Sequence, residues 1–204
     1  DCVAPGLIGV DIGCGILAVR LDAKRLDLQK LDKLIHEKIP AGRNIRTKPH
    51  QFAEQAELER LQCFRHIQAD KAHMSIGTLG GGNHFIEVDK ALDGTKYLVI
   101  HTGSRNLGKQ VAEIYQQLAV DLNKGKETYF KERDEIIRTY KEQGRRKEIQ
   151  AALEKIAWVK REATMPEDLC YLYGTYFENY MHDVEICQAF ARRNREKIAE
   201  VLLV

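Results

Sequence analysis

Long apolar runs are missing from this sequence: no stretch approaches the roughly 18 to 20 residues that a helix needs to cross a bilayer, so none is read as a membrane span. Paired cysteines are missing as well. The five cysteines, Cys2, Cys14, Cys63, Cys170 and Cys187, are odd in number, irregularly spaced and never in a CxxC arrangement, which argues against a disulfide framework. An excess of one sign of charge is missing too. A net charge of +2 leaves no broad basic surface, so any nucleic acid would have to be held by a local patch or a metal site. No segment repeats at solenoid spacing, and no charged-then-apolar leader opens the chain, which is expected in the cytoplasm. The opening DCVAPGLIGVDIG lacks a methionine, and the closing REKIAEVLLV lacks the glycine, asparagine or proline that commonly ends a helix. A partial chain is expected.

What is present suits a folded protein: 44% hydrophobic and 30% charged residues, in a length that allows one domain with a true core. The runs LIGV and ILAVRL bracket DIGCG and read as strands entering and leaving a glycine corner. In residues 24–38, Leu28, Leu31, Leu34 and Ile35 share a helical face, and Pro40 follows to stop it. AGRNIRTKPH reads as a loop, and residues 52–68, with Phe52, Ala56, Leu61 and Phe64, as a weaker helix. HFIEV and YLVI read as two strands of a hairpin that turns at Asp93 and Gly94. Leu107, Val111, Ile114, Tyr115 and Leu118 then form a helical stripe, and the charge-rich residues 123–162 read as a solvated helical insert. The expected fold is α/β (α+β), with short strands around glycine-rich turns and a helix-rich second half. We expect a single partial domain over 1–204, divided into a motif region (1–110) and a helical region (111–204).

Three motifs carry the chemistry. In DIGCG the glycines let the chain turn sharply enough for the Asp11 carboxylate and the Cys14 sulfur to converge on one point, and a thiolate can bridge two metal ions. The same pentapeptide also suits a strand turn with a small buried cysteine. Three consecutive glycines ahead of HFIEV suit close approach of backbone N–H groups to a phosphate, although a hairpin loop with a core histidine would look alike. Strand alternation would place Asn83, Phe85 and Glu87 on one face and His84, Ile86 and Val88 on the other. In HTGSRNLG, His101 ends a strand while Ser104 and Arg105 begin a helix, a junction suited to anions or to an ordinary serine cap. Asp11, Cys14, His84 and His101 together supply carboxylate, thiolate and two imidazoles beside glycine turns. That favours a metal site without settling which metal. The remaining histidines, His36, His50, His66, His73 and His182, lack such company.

GVDIGCG, LGGGNHFIEV and HTGSRNLG, in this order and at these separations, closely resemble the motifs of the RtcB RNA ligases. The resemblance is strong over about residues 3–110 and looser over GTYFENYMHDVEICQAFARRNR, and it is not extended to residues 123–162. Ile16 stands where the family usually has methionine, Thr102 where serine is common and Asn106 where glycine is common.

The resemblance implies an enzyme that uses GTP to join RNA bearing a 2′,3′-cyclic phosphate or 3′-phosphate to RNA bearing a 5′-hydroxyl, with two Mn²⁺ ions. By motif position, Asp11 and His84 would bind one ion, His101 the other, and Cys14 both. Asn83 would contact the nucleotide phosphate and Glu87 the guanine, within a nucleotide-binding segment comprising Asn83, His84, Phe85, Ile86 and Glu87. Arg105, with Ser104, would hold a phosphate of the RNA end. The family's nucleophilic histidine, which takes GMP from GTP and passes it to the RNA 3′-phosphate, belongs to motifs outside these residues, so the 204-residue chain is expected to be inactive alone. Two other readings remain open. The site could serve a metal-dependent phosphoesterase or nucleotidyl transferase, or the chain could be an RNA- or partner-binding module without catalysis.

Overall fold

The computed structural model describes residues 1–22, 25–50 and 57–203. A short pairing of β1 (Cys2–Val3) with β5 (Leu172–Tyr173) ties the start of the chain to its last third. Between β1 and the glycine corner, LIGV is not a strand. Pro5 starts a single helical turn, α1 (Pro5–Ile8), and Gly9 leaves it at φ +88°. Proline is preset for a first helical position, and a positive φ strongly favours glycine, so local backbone chemistry overrides the apolar pattern here.

ILAVRL does form a strand, β2 (Gly15–Leu21). It is followed by helix α2 (Leu28–Lys38), whose first turn is capped by the Asp27 carboxylate accepting from the Lys30 N–H at 3.0 Å. Leu31, Leu34 and Ile35 pack inward as the periodicity predicts. Leu28, at the first helical position, remains 61% exposed. The weaker helix expected over 52–68 is not continuous: Leu58–Arg60 and Phe64–His66 are separate 3-10 turns, and Phe52 and Ala56 lie outside the described residues. Leu61 is buried and Phe64 packs against the same core, which explains their pattern without a helix. Helix α3 (Ala69–Ser75) then leads to the glycine loop.

The hairpin is as expected: β3 (Phe85–Lys90) and β4 (Lys96–Thr102) pair antiparallel, and β2 pairs with the other edge of β4. The resulting sheet has the order β2-β4-β3. One face carries Leu17, Val19, Leu98, Ile100, Ile86 and Val88 into a core with α2. The opposite face carries Ile16, Ala18, Phe85, Glu87 and His101, and Ile16 there is 62% exposed.

Helix α4 (Asn106–Asn123) buries Leu107, Val111 and Tyr115, with Ile114 and Leu118 at the margin of the same core. Helices α5 (Lys126–Glu142) and α6 (Ile149–Leu153) have no fully buried residue, as a solvated insert should. Helix α7 (Gly174–Leu202) closes the fold, and apolar side chains recur along it at spacings of three and four. Tyr180, Val184, Cys187 and Phe190 enter the core under α4, whereas Ile198, Ala199 and Leu202 enter the core under the sheet. One helix therefore belongs to both cores, and the fold is mixed α/β. No helix of the described residues is long and apolar enough to cross a membrane.

Candidate metal centre

The DIGCG corner lies between α1 and the start of β2 and packs against α7. Cys14 N–H donates to the Asp11 carbonyl at 3.2 Å, closing a turn that carries both side chains to one side. Gly13 has φ +78°, and a Cβ there would stand 2.9 Å from Ala191 Cβ and 3.0 Å from Gln188 Cα, so the corner needs glycine for both conformation and clearance. Gly103 is constrained by clearance alone, since a Cβ there would lie 2.3 Å from Asp11 Oδ1.

The four expected ligands meet. Cys14 Sγ lies 3.0 Å from His101 Nε2 and 3.7 Å from His84 Nε2, and His84 Nε2 lies 3.0 Å from Asp11 Oδ2. Asp11, Cys14 and His84 each offer a donor atom within 4.8 Å of the others. His101 is not in that mutual set, but its nitrogen reaches the sulfur from a separate strand. The sulfur therefore lies between two groups: Asp11 with His84, and His101.

Burial, then the Asp11 carboxylate, pushes the Cys14 thiol above its ordinary range, while Arg195 and the Gly15 N–H pull it partly back. An exposed thiol beside a carboxylate and two imidazoles is a donor set for a cation. Nδ1 of His84 is buried and has no hydrogen-bond partner among the described residues. Nε2 is thus the ring nitrogen turned toward the other donors.

The expected two-face alternation stops at the strand's first residue. His84 precedes β3, and its ring lies 5.7 Å from that of His101, on the same side as Phe85, whose ring is 5.1 Å from His101 and nearly perpendicular to it. Phe85 and His101 are direct cross-strand partners. Ile86 points the other way, into the core beneath the sheet. Asn83 and Glu87 are exposed. Ser104 is fully buried and donates to the Ile12 carbonyl, so it ties the DIGCG corner and does not cap α4. Arg105 occupies the cap position at φ +60°, ψ −150°, a conformation that costs a non-glycine residue about 1–3 kcal/mol. Its guanidinium donates to Thr78 Oγ1 and to the Gly42 carbonyl, both at 3.0 Å, and a Cβ on Gly80 would collide with it. Burial lowers its pKa, and Asp11 opposes that shift.

Sequence reasoning missed the residues that hold these loops together. Arg46 donates from Nε to the Ile76 carbonyl at 2.9 Å and from Nη2 to the Gly77 carbonyl at 2.7 Å, which anchors the start of the glycine loop. Asn194 and Arg195 of α7 bond to backbone groups in two of the motif loops and in the segment just before the third. A signal was available: Phe190, Asn194 and Ile198 recur every four residues, which puts an asparagine on a buried stripe.

A carboxylate, a cysteine sulfur and two imidazoles gathered at strand ends beside glycine loops make a candidate metal site of mixed ligand type in an α/β fold. The chain belongs to the RtcB family: the family model described as tRNA-splicing ligase RtcB matches residues 1–203. It is 30% identical over 221 residues to the RNA-splicing ligase RtcB of Escherichia coli (strain K12), covering 97% of this chain and 46% of that protein. The tRNA-splicing ligase RtcB of Pyrobaculum aerophilum is 30% identical over 163 residues, covering 55% of this chain and 34% of that protein. The RNA-splicing ligase RtcB homolog 1 of Entamoeba dispar is 27% identical over 169 residues, covering 58% of this chain and 31% of that protein. The chain spans about half the length of the E. coli relative, at 46%.

Proposed function

We propose that this chain supplies the metal- and phosphate-holding part of an RNA ligase that joins 3′-phosphate or 2′,3′-cyclic phosphate ends to 5′-hydroxyl ends with GTP and two Mn²⁺ ions. The observation that carries the reading is the position of the Cys14 sulfur, 3.0 Å from His101 Nε2 and 3.7 Å from His84 Nε2. The donors suit a pair of divalent ions sharing one sulfur: Asp11 and His84 would hold one ion, His101 the other, and Cys14 both. When bound, the ions would neutralise charge that develops on phosphate oxygens.

The chain's own residues supply the rest. Asp11 and His84 orient one another at 3.0 Å. Arg105, held by Thr78 and Gly42, keeps a guanidinium near the carboxylate of Asp11, placed for a phosphate of the RNA end. Asn83 and Glu87 stand exposed beside this cluster, available for the nucleotide phosphate and the guanine. Phe85 braces the His101 ring edge-on. The nucleotide-accepting histidine is assigned to sequence outside these residues, so the 204-residue chain is inactive alone in this reading. Because α7 enters both cores, residues 1–110 and 111–204 are inferred to act as one unit. Five free thiols suit the reducing cytoplasm as the site of action.

The test is ligation by the intact protein. With Mn²⁺ and GTP it should seal a cyclic-phosphate end to a 5′-hydroxyl end and form a covalent GMP adduct visible by mass spectrometry. Metal-dependent phosphate hydrolysis without ligation or adduct would instead favour a phosphoesterase. RNA binding that is unchanged in Cys14→Ala, without any catalysis, would favour a binding module.

A further inference from the structure

The ladder between β2 and β4 ends at the pair Gly15 and Thr102. Beyond that pair the chain diverges into the loops bearing Cys14 on one side and Gly103 on the other, and side chains set the gap between them. Nη1 of Arg195 donates to the Gly13 carbonyl at 3.0 Å and to the Thr102 carbonyl at 2.8 Å. Gly13 directly precedes Cys14, and Thr102 directly follows His101. Each accepting carbonyl is therefore one residue from a proposed ligand.

The preceding residue extends the tie to the segment that leads into the third motif. Asn194 is fully buried, and its Oδ1 accepts from the N–H groups of Gly77 at 2.8 Å and Thr78 at 3.1 Å. Its Nδ2 donates to the Thr78 carbonyl at 3.0 Å and the Gly103 carbonyl at 3.3 Å. Both residues lie on α7 between Phe190, in one core, and Ile198, in the other. Sliding or rotating the helix would disturb both cores, so the position of the two side chains is fixed by packing at either end.

We propose that Arg195 is a positioning residue of the metal centre: by joining the Gly13 and Thr102 carbonyls through one guanidinium nitrogen, it sets the separation of the Cys14 sulfur from the His101 imidazole. This inference rests on the metal-site reading above. Groups that orient ligands from outside the coordination sphere typically contribute about 10- to 100-fold to metal affinity. A staple that only strengthened the sheet would change unfolding and leave metal binding as it was.

The probe is Co²⁺ alone, titrated into the metal-free chain, with affinity and the thiolate-to-cobalt charge-transfer absorption as readouts. Arg195→Met keeps a long apolar stem without donors and should weaken Co²⁺ binding about 10- to 100-fold with an altered charge-transfer band. Arg195→Lys, whose ammonium can donate to both carbonyls, should restore most of the loss. Val184→Ala, a cavity in the core far along the same helix, serves as the stability control and should bind Co²⁺ as the wild type does. Wild-type affinity and spectrum in Arg195→Met would overturn the proposal, as would a lysine variant no better than the methionine one. Should Arg195→Met fail to fold, Arg195→Gln, with a shorter amide donor, carries the same expectation and the same overturning result. Absence of Co²⁺ binding by the wild type would reject the metal-site reading itself, and this inference with it.

Discussion

The Cys14 sulfur lies closer to His101, at 3.0 Å, than to His84, at 3.7 Å, although 87 and 70 positions of sequence separate them. Asp11 meets His84 on the far side of that sulfur. A cation seated between Asp11 and His84 and another beside His101 would share the sulfur and nothing else among these four residues. Cys14→Ala should therefore abolish binding of both ions, whereas His101→Ala should leave one. Metal content after dialysis against Mn²⁺ checks the expectation, and equal stoichiometry in the two variants would contradict it.

Gly103 offers a way to disturb the centre without touching a ligand. A methyl group there would stand 2.3 Å from Asp11 Oδ1 and 3.3 Å from Cys14 Cα. Gly103→Ala should displace the carboxylate and reduce metal affinity about 10- to 100-fold, measured by calorimetry. Unchanged affinity would show that Asp11 is not held where the structure has it.

Asp183 is fully buried and accepts from the Gln62 N–H at 2.8 Å, the Cys63 N–H at 3.1 Å and the Tyr115 hydroxyl at 2.8 Å. Its removal would strand several buried donors at once. Asp183→Ala should cost about 3 kcal/mol or more, a fall in Tm of roughly 6 to 12 °C for a chain of this size. Tyr115→Phe, which removes one of the donors, should cost about 1 kcal/mol. A double-mutant cycle by denaturant unfolding measures their coupling, and additivity would mean the bond contributes nothing.

Tyr180 presents the opposite case. Its ring is fully buried and packs 4.9 Å from that of Tyr115, yet its hydroxyl finds no partner among the described residues. Tyr180→Phe removes an uncompensated polar atom at nearly constant shape and should stabilise the fold by about 1 kcal/mol. A loss of stability in urea unfolding would reveal an unrecognised partner.

Burial and then Asp183 push the Cys187 thiol up to about 12, and burial and then Cys187 push the Tyr180 phenol up to about 12. In an unfolded chain these groups lose their protons near about 9 and about 10. The folded state thus binds more protons over that interval. The stabilisation is complete below the unfolded values and is lost as pH rises toward the folded ones, by about 1.4 kcal/mol per pH unit for each group. Urea midpoints should fall steadily from about pH 9 upward, and Tyr180→Phe should flatten the decline above about pH 10. A flat profile between these limits would contradict the burial argument.

Much of the fold could be read locally. The β3–β4 hairpin follows from alternation around a tight Asp93–Gly94 turn, and α4 from a stripe repeating every three or four residues, because each pattern reports a single element's own geometry. LIGV misled because four apolar residues cannot distinguish a strand from a turn of helix, and Pro5 with Gly9 decided for the turn. The role of Ser104 was hidden for another reason. A serine before a helix looks like a cap in sequence, and only the packed fold brings the Ile12 carbonyl within its reach.

By itself, the sequence determined which chemistry this protein can offer: a carboxylate and a thiol in a glycine corner, two histidines at strand ends and an arginine at a helix entry. Only the tertiary structure decided that the four donors meet, that His84 abandons its strand's alternation, and that Asn194 and Arg195 bind the loops together. The physical reason is separation along the chain. Bonds across 70 to 182 positions depend on strand register and on where α7 comes to rest, and no local periodicity records either.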